Sequence, residues 1–149
     1  MDITLLGSWE QLTVTDRRDA IMELEDSIKA VESEQGIEIT PVEYHYNGVY
    51  AREIRIPKGT ALVGEIHLQD QINVVSQGVI RVFTEKGVHT IKAPSTFISP
   101  AGTKRAGYVI EDTVWTVFHG TTKTSEEEIR KEFIAPDYHS LDKQLEHTK

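Results

Sequence analysis

Two stretches of the chain decide its fold: residues 59–78 read GTALVGEIHLQDQINVVSQG, and residues 94–105 read PSTFISPAGTKR. In both, short apolar runs alternate with polar residues and end at a glycine or at a Pro-x-Gly turn. Alternation with a period of two is typical of a strand that buries one face, and glycine allows the sharp turn that follows. Both stretches therefore predict short strands that close into a small barrel, with some polar side chains pointing inward.

The residues around these stretches have the same strand character. Asn47-Gly48 lies between VEYHY and VYAREIRI and predicts a two-residue hairpin. Further strands are predicted at about 61–68, 72–76, 79–84, 88–92, 95–98, 104–109 and 113–118. Turns are predicted between them, among others at Gln77-Gly78, Pro100-Ala101-Gly102 and Glu111-Asp112. Because no helical pattern interrupts the region, the sequence predicts an all-β core.

An amphipathic helix is predicted before the strands, over residues 15–34. Its apolar positions, spaced three and four apart, are Ile21, Leu24, Ile28 and Val31. Thr15 or Asp16 is expected to cap the helix, and Gly36 to end it. The apolar face needs a cover, which can be the chain's own barrel or a partner subunit.

Helical signals return after the strands. Ser125-x-x-Glu128 has the form of a capping box, the helix after it is expected to end before Pro136, and DYHSLDKQLEH is expected to form a last short helix. The predicted organisation is an N-terminal helical extension over residues 1–41, a barrel over 42–120 and a C-terminal helical tail over 121–149.

Composition narrows the class of protein. The 149 residues fit one domain, and no cysteine is present, which fits a cytoplasmic location and leaves no thiolate nucleophile. The sequence shows no secretory signal and no apolar run long enough to span a membrane. The net charge of −8 is concentrated in the flanks, while residues 41–123 are slightly basic. Acidic flanks argue against a nucleic-acid polymer as partner, and a slightly basic barrel suits a small anionic ligand.

The glycines and the Pro-x-Gly turn stand at the spacing of a known family. The chain resembles the cupins, whose first motif is Gly, five residues, His-x-His, three or four residues, Glu, six residues, Gly. The matching frame here is Gly59, Glu65-Ile66-His67, Gln71 and Gly78, and the second motif, Pro-x-Gly followed after two residues by His, matches Pro100-Ala101-Gly102 and Arg105. The resemblance covers about residues 42–119 and implies a double-stranded β-helix, or jelly-roll, barrel. More loosely, through GTKRAGY and EDTVWTVFHG, the chain looks like the small cupin-like proteins of tailed bacteriophages.

The chain departs from the family at the metal ligands. The resemblance implies three His and one Glu, but the four positions hold Glu65, His67, Gln71 and Arg105. Arginine stays protonated and has no lone pair to give, so it cannot ligate a metal. A divalent ion at the usual place is therefore disfavoured.

Two interpretations follow from this departure. In the first, Arg105 replaces the metal as the fixed positive charge, where it can pair with Glu65 or bind a carboxylate or phosphate. In the second, Glu65 and His67 share a strand face and His119 completes a shifted metal site for iron, manganese, zinc or nickel.

The first interpretation predicts a binding protein without a catalytic metal, in which an anionic metabolite such as a nucleotide or sugar phosphate occupies the barrel. The phage likeness suggests that such a protein sequesters its ligand. The second predicts a metal-dependent isomerase, lyase or oxygenase, and a third alternative is a protein-interaction module with a vestigial pocket. By analogy with the family a homodimer is expected. The predicted ligand-binding residues are Glu65, His67, Gln71, Arg105, His119, Arg52 and Tyr50.

Overall fold

A computed structural model describes residues 8–35 and 39–147. A short 3₁₀ helix, Trp9–Gln11, comes first. The α-helices are α1 (Val14–Gln35), α2 (Glu126–Phe133) and α3 (Tyr138–His147). The strands are β1 (Val42–Tyr46), β2 (Val49–Ile56), β3 (Ala61–Val63), β4 (Ile66–His67), β5 (Gln71–Thr84), β6 (Gly87–Lys92), β7 (Ser95–Ser99), β8 (Ala106–Gly120) and β9 (Ile134–Ala135).

Two long antiparallel strands, β5 and β8, carry the other strands of the barrel. β5 pairs with β8 along most of its length and also with β6 and β7. β8 pairs in addition with β2 and β3, and β1 extends the sheet beyond β2. A separate two-stranded sheet joins β4 to β9. All of these pairings are antiparallel, which is the arrangement that the alternating sequence pattern predicted.

Two predicted turns are not turns. Gln77-Gly78 and Glu111-Asp112 lie inside β5 and β8, which each run through them without a break. The pairing register between the two strands shifts three times between Val75 and Ile80. Extra residues of this kind are β-bulges, which bend a strand instead of ending it, so the turn-forming residues serve the curvature of the barrel.

The Asn47-Gly48 hairpin is confirmed. Both residues have positive φ angles, 47° and 82°, as a two-residue hairpin turn of this kind requires. Tyr46 and Val49 face each other across the turn, which fixes the register of β1 on β2.

The barrel interior is apolar at one end. Six buried side chains form its main cluster: Ile56, Val75, Ile80, Val82, Val109 and Trp115. A second cluster joins the barrel to the N-terminal helix and consists of Trp9, Ile21, Phe83 and Ala106.

Helix α1 therefore packs on the chain's own barrel. Ile21 is fully buried there and Leu24 partly so, as the predicted apolar face required. Lys104, which is 3% exposed, donates to the Glu25 carboxylate at 2.7 Å and adds a buried ion pair to this contact. The side chain of Val31 and all of Gly36 lie outside the described residues.

The start of α1 differs from the prediction. Thr13, and neither Thr15 nor Asp16, caps the helix: its Oγ1 accepts from the Asp16 N–H at 3.1 Å, and the Asp16 carboxylate accepts from the Thr13 N–H at the same distance. This reciprocal pair is a capping box with aspartate in the place of glutamate, so the helix begins at Val14.

The C-terminal tail closes one side of the barrel. Its first helix has the predicted cap, since Ser125 Oγ accepts from the Glu128 N–H at 3.2 Å. The helix ends at Phe133, two residues earlier than predicted, because residues 134 and 135 form β9 and pair with β4. Among the described residues, no helix is long and apolar enough to cross a membrane.

We expect Gly78→Ala to destabilise the protein strongly. A Cβ at this position would lie 2.3 Å from the backbone oxygen of Asp112, and the φ angle of +93° is unfavourable for any side chain. Overpacking and backbone strain together should lower the free energy of unfolding by about 3 kcal/mol or more, measured by urea denaturation.

Gly48→Ala is the matched control for this substitution. Its φ angle of +82° is similar, but a Cβ there meets nothing within 4 Å, so only backbone strain of about 1–2 kcal/mol should remain. Equal losses for the two variants would show that contact between β5 and β8 at the bulge does not matter.

Candidate functional site

A cavity of about 110 Å³ opens inside the barrel and is called the inner cavity here. Its polar wall consists of Arg52, Glu65, His67, Gln71, Asn73 and Arg105. Its apolar wall consists chiefly of Ile54, Ile56, Leu62, Ile80, Val82, Trp115 and Val117. This volume would hold about four water molecules, so it suits a small chemical group. A filled interior would have favoured the third alternative, a protein-interaction module with a vestigial pocket, and the cavity does not give it that support.

Arg105 is the positive charge of the inner cavity. It follows the Pro-x-Gly turn, and its carbonyl accepts from the Gly64 N–H at 2.8 Å, which anchors the backbone beside β4. Its guanidinium donates to Ser99 Oγ at 2.6 Å and lies 5.7 Å and 5.8 Å from the ring centres of Phe97 and Trp115. No carboxylate among the described residues pairs with it. Burial lowers the pKa of Arg105 from its ordinary value, but an arginine remains charged.

A chain of hydrogen bonds holds this guanidinium in place. The Trp115 indole donates to Asn73 Oδ1 at 2.9 Å, and Asn73 Nδ2 donates to Ser99 Oγ at 2.7 Å, the same oxygen that Arg105 uses. Asn73 and Ser99 are both fully buried. Neither residue was among the predicted site residues, although Asn73 follows Gln71 at strand spacing and therefore shares its inward face.

Gln71 brings an unsatisfied acceptor to the same cavity. Its side chain is 4% exposed, and within the described part of the chain its Oε1 has no hydrogen-bond partner. A buried carbonyl oxygen without a donor is costly, which makes Gln71 a group that a ligand's O–H or N–H can satisfy.

Glu65 does not pair with Arg105, contrary to the first interpretation. Its carboxylate accepts instead from Arg130 of α2 in a short ion pair. The physical reason is the small sheet of β4 and β9, which holds the end of α2 beside residue 65. The partner lies 65 residues away in sequence, so no local pattern could show it.

A second cavity, the outer cavity, lies between the barrel and α2 and shares Arg52, Glu65, His67 and Val117 with the first. Tyr50, His119 and Phe133 also line it. Tyr50 donates to the Glu43 carboxylate at 2.9 Å, and burial raises the pKa of the Tyr50 hydroxyl above its usual range.

Two histidines separate the cavities. His67 Nδ1 and His119 Nε2 lie 3.1 Å apart, within hydrogen-bonding distance, and the His119 ring stacks on Phe133 at 4.1 Å. Burial, reinforced by His119, lowers the pKa of His67 to about 4, and burial also lowers the pKa of His119. Both rings are therefore neutral at neutral pH, and one donates to the other.

The seven predicted site residues thus line the two cavities. Arg52, Glu65 and His67 line both, Gln71 and Arg105 line the inner one, and Tyr50 and His119 line the outer one. The Arg52 side chain has no hydrogen bond or ion pair to another described residue, whereas its backbone lies in the β1–β2–β8 ladder.

The side chains present do not fit a metal centre. Within residues 8–35 and 39–147, no group of three or more His, Asp or Glu side chains is arranged to hold an ion. Of the set Glu65, His67 and His119, the carboxylate is engaged by Arg130 and the two imidazoles contact each other. Arg105 adds a fixed positive charge to the cavity, which opposes a cation further.

Comparison with known proteins concerns the fold. No protein-family model and no curated protein matches the chain. Solved structures do. A cupin-2 domain protein from Shewanella frigidimarina aligns at 13% identity and a TM-score of 0.46, over 62% of this chain and 91% of that one. The cupin domain of Cnp3 from Schizosaccharomyces pombe aligns at 18% identity and a TM-score of 0.48, over 64% of this chain and 70% of that one. KdgF from Halomonas aligns at 18% identity and a TM-score of 0.47, over 60% of this chain and 83% of that one.

The antiparallel β-barrel predicted from the two motifs is confirmed. Its strands enclose a cavity that Glu65, His67, Gln71 and Arg105 line. The likeness to phage proteins and the homodimer stay predictions.

We expect His67 to make folding sensitive to mild acid. Above pH 6.5 the imidazole is neutral in both states and contributes no pH dependence. Below pH 6.5 the unfolded chain takes up a proton that the folded chain refuses until about pH 4, so stability falls in this window. The loss at pH 5 should be about 2 kcal/mol by linkage.

Urea denaturation at pH 7 and pH 5 measures the effect. His67→Gln should show a smaller loss between the two pH values than the unsubstituted protein, whereas His89→Gln, at an exposed site on β6, should not. An unchanged loss in His67→Gln would contradict the assignment.

Proposed function

We propose that this protein binds a small anionic metabolite, bearing a carboxylate or a phosphate, in its barrel without a catalytic metal. The observation that carries the proposal is the half-buried Arg105 guanidinium, which lines the inner cavity without a carboxylate partner among the described residues. A buried charge left without a counter-ion destabilises a fold, and it is the group that an anion neutralises.

The charge balance of the cavity supports an anion. Arg105 and Arg52 both line it, and the one acidic residue of its wall, Glu65, is neutralised by Arg130. His67 is neutral because of its low pKa. The residues that line the cavity therefore carry a net positive charge, although the whole chain carries a net charge of −8.

The ligand also needs a hydrogen-bond donor. Gln71 Oε1 lines the inner cavity without a partner, so a hydroxyl or N–H close to the anionic group would satisfy it. Sugar phosphates, nucleotides and hydroxy acids carry both groups.

A wider space adjoins the inner cavity on the side of α1. It measures about 350 Å³, is lined in part by Ile28, Lys29 and Ile39, and shares Arg52, Ile54, Leu62, Gly64 and Glu65 with the inner cavity. The anionic group therefore fits inside the barrel while a larger, flatter part lies against the apolar walls outside, which favours a nucleotide among these classes. A protein that binds without converting its ligand lowers the free concentration of that ligand, which is the sequestering role that the phage likeness suggested.

We expect Arg105→Met to weaken binding strongly while leaving the ligand-free protein as stable or more stable. The substitution removes the charge-assisted hydrogen bonds to the anion, which should weaken affinity at least about tenfold. It also removes an uncompensated buried charge, so the urea midpoint of the ligand-free variant should stay equal or rise. Thermal shift with nucleoside monophosphates, hexose phosphates and inorganic phosphate finds the ligand, and titration calorimetry measures it.

Arg81→Met is the matched control, because Arg81 is exposed on β5 and its loss changes the net charge equally. Binding should survive in this variant. Unchanged affinity in Arg105→Met would refute the proposal, and a large loss of stability without ligand would assign Arg105 a structural role instead. One tightly held transition metal per purified chain would favour the metal-dependent alternative.

A further inference from the structure

Arg52 is a second cation of the site without a carboxylate partner. It lies on β2 and is half-buried, and its side chain makes no ion pair with another described residue. It lines three spaces at once: the inner cavity, the outer cavity and the wider space beside α1. An anion bound in any of the three can therefore reach it, and the charges around it decide which of them is favourable.

The outer cavity is an unfavourable place for an anion. Its charged side chains are three glutamates and two arginines: Glu43, Glu65, Glu126, Arg52 and Arg130. Glu43 lies opposite Arg52 in the β1–β2 ladder, but its carboxylate accepts from the Tyr50 hydroxyl at 2.9 Å. A negative group drawn to Arg52 is therefore expected on the other side, toward the inner cavity and the wider space.

The wider space beside α1 has a more favourable charge balance. Its carboxylate on α1, Glu25, is held by the buried Lys104 at 2.7 Å and by Lys29 at 3.6 Å. Its other carboxylate, Glu65, has its own cation on α2. On this wall, Arg52 is thus a cation that no carboxylate of the described residues neutralises.

Strand register places Arg52 and the Arg105 guanidinium at two ends of one row. Arg52 of β2 and Asn73 of β5 both pair with Val117, and all three residues line the inner cavity. Neighbouring strands are about 4.8 Å apart, which puts the backbones of Arg52 and Asn73 about 10 Å from each other. Arg105 and Asn73 donate to the same oxygen, Ser99 Oγ, so the Arg105 guanidinium lies at the Asn73 end of the row.

The inner cavity has room for one anionic group beside Arg105. Its volume of about 110 Å³ corresponds to about four water molecules, which is close to the size of one phosphate. A second phosphate linked to the first therefore lies where the inner cavity joins the wider space. Arg52 lines both of these spaces.

We propose that Arg52 is a second anion-binding residue and that the ligand carries two linked phosphate groups, as pyrophosphate and nucleoside diphosphates do. Arg105 holds the first phosphate inside the barrel, and Arg52 holds the second at the opening, each through the paired N–H groups that a guanidinium offers to a phosphate. The inference rests on the proposed function, because it takes Arg105 as the residue that binds the first group.

Titration calorimetry with orthophosphate and pyrophosphate tests the inference, at neutral pH without divalent cations. The unsubstituted protein should bind pyrophosphate at least about tenfold more tightly, because the second phosphate gains charge-assisted hydrogen bonds from Arg52. In Arg52→Gln this advantage should disappear, while the affinity for orthophosphate stays within about threefold. Arg52→Lys should keep part of the advantage, since it retains the charge but loses the planar fork.

Arg55→Gln is the matched control. Arg55 lies on the same strand, but it is exposed and pairs with Glu53 at 3.1 Å, and its loss changes the net charge equally. The preference for pyrophosphate should persist in this variant. Its loss there would show that net charge produces the preference, and equal weakening of both anions in Arg52→Gln would show that Arg52 acts on the first phosphate or on the fold. Either result would overturn the inference.

AMP and ADP separate failure of this inference from failure of the proposed function. Tighter binding of ADP than of AMP, lost in Arg52→Gln, would support the second phosphate subsite and assign the ligand to the nucleotides. Equal binding of AMP and ADP that depends on Arg105 would overturn the subsite and leave the proposed function standing. Binding of none of the four phosphate probes would overturn the subsite, and the proposed function would fail with it if malate, a hydroxy acid, did not bind either.

Discussion

The pairing of β5 with β8 is the constraint on which the rest of the structure depends. β6 and β7 pair with β5, and β2 and β3 pair with β8, so every other strand of the barrel except β1 is attached to one of these two. The bulges around Gly78 bend both strands at the same level, where Gly78 lies against the backbone of Asp112. The curvature set there brings β2 round toward β5 and encloses the cavity. The polar end of that cavity thus depends on a contact made at some distance from it.

Much of the fold was predictable because its signals are local. A two-residue turn such as Asn47-Gly48 or a cap such as Ser125 is determined by residues next to each other in sequence. The inward-facing positions were also predictable, since strand alternation puts Glu65 and His67, or Gln71 and Asn73, on one face. The turns predicted at Gln77-Gly78 and Glu111-Asp112 were wrong, because the same residue types form both turns and β-bulges. Only pairing with the partner strand determines which of the two forms.

The site itself was less predictable, because the ion pairs of its charged residues are made with residues far away in sequence. Sequence spacing placed Glu65 and Arg105 in one cavity, but the Glu65 carboxylate pairs with Arg130, which α2 supplies. As a result neither arginine of the inner cavity has a carboxylate partner among the described residues. Such an arrangement is unfavourable for folding alone, and a chain selected only for stability would have no reason to retain it. The buried Lys104, which does have its carboxylate in Glu25, shows how the same fold treats a cation whose role is structural.

The strand pair β4 and β9 has a consequence for the order in which the protein is made. The ribosome delivers the chain from its N-terminus, so the barrel strands through Gly120 emerge before the residues of α2 and β9. Until residue 135 is outside the exit tunnel, His119 lacks the Phe133 ring beneath it and Glu65 lacks Arg130. Pairing of β9 with β4 brings α2 against the barrel, so Arg130 engages Glu65 and Arg105 is left without a carboxylate partner among the described residues.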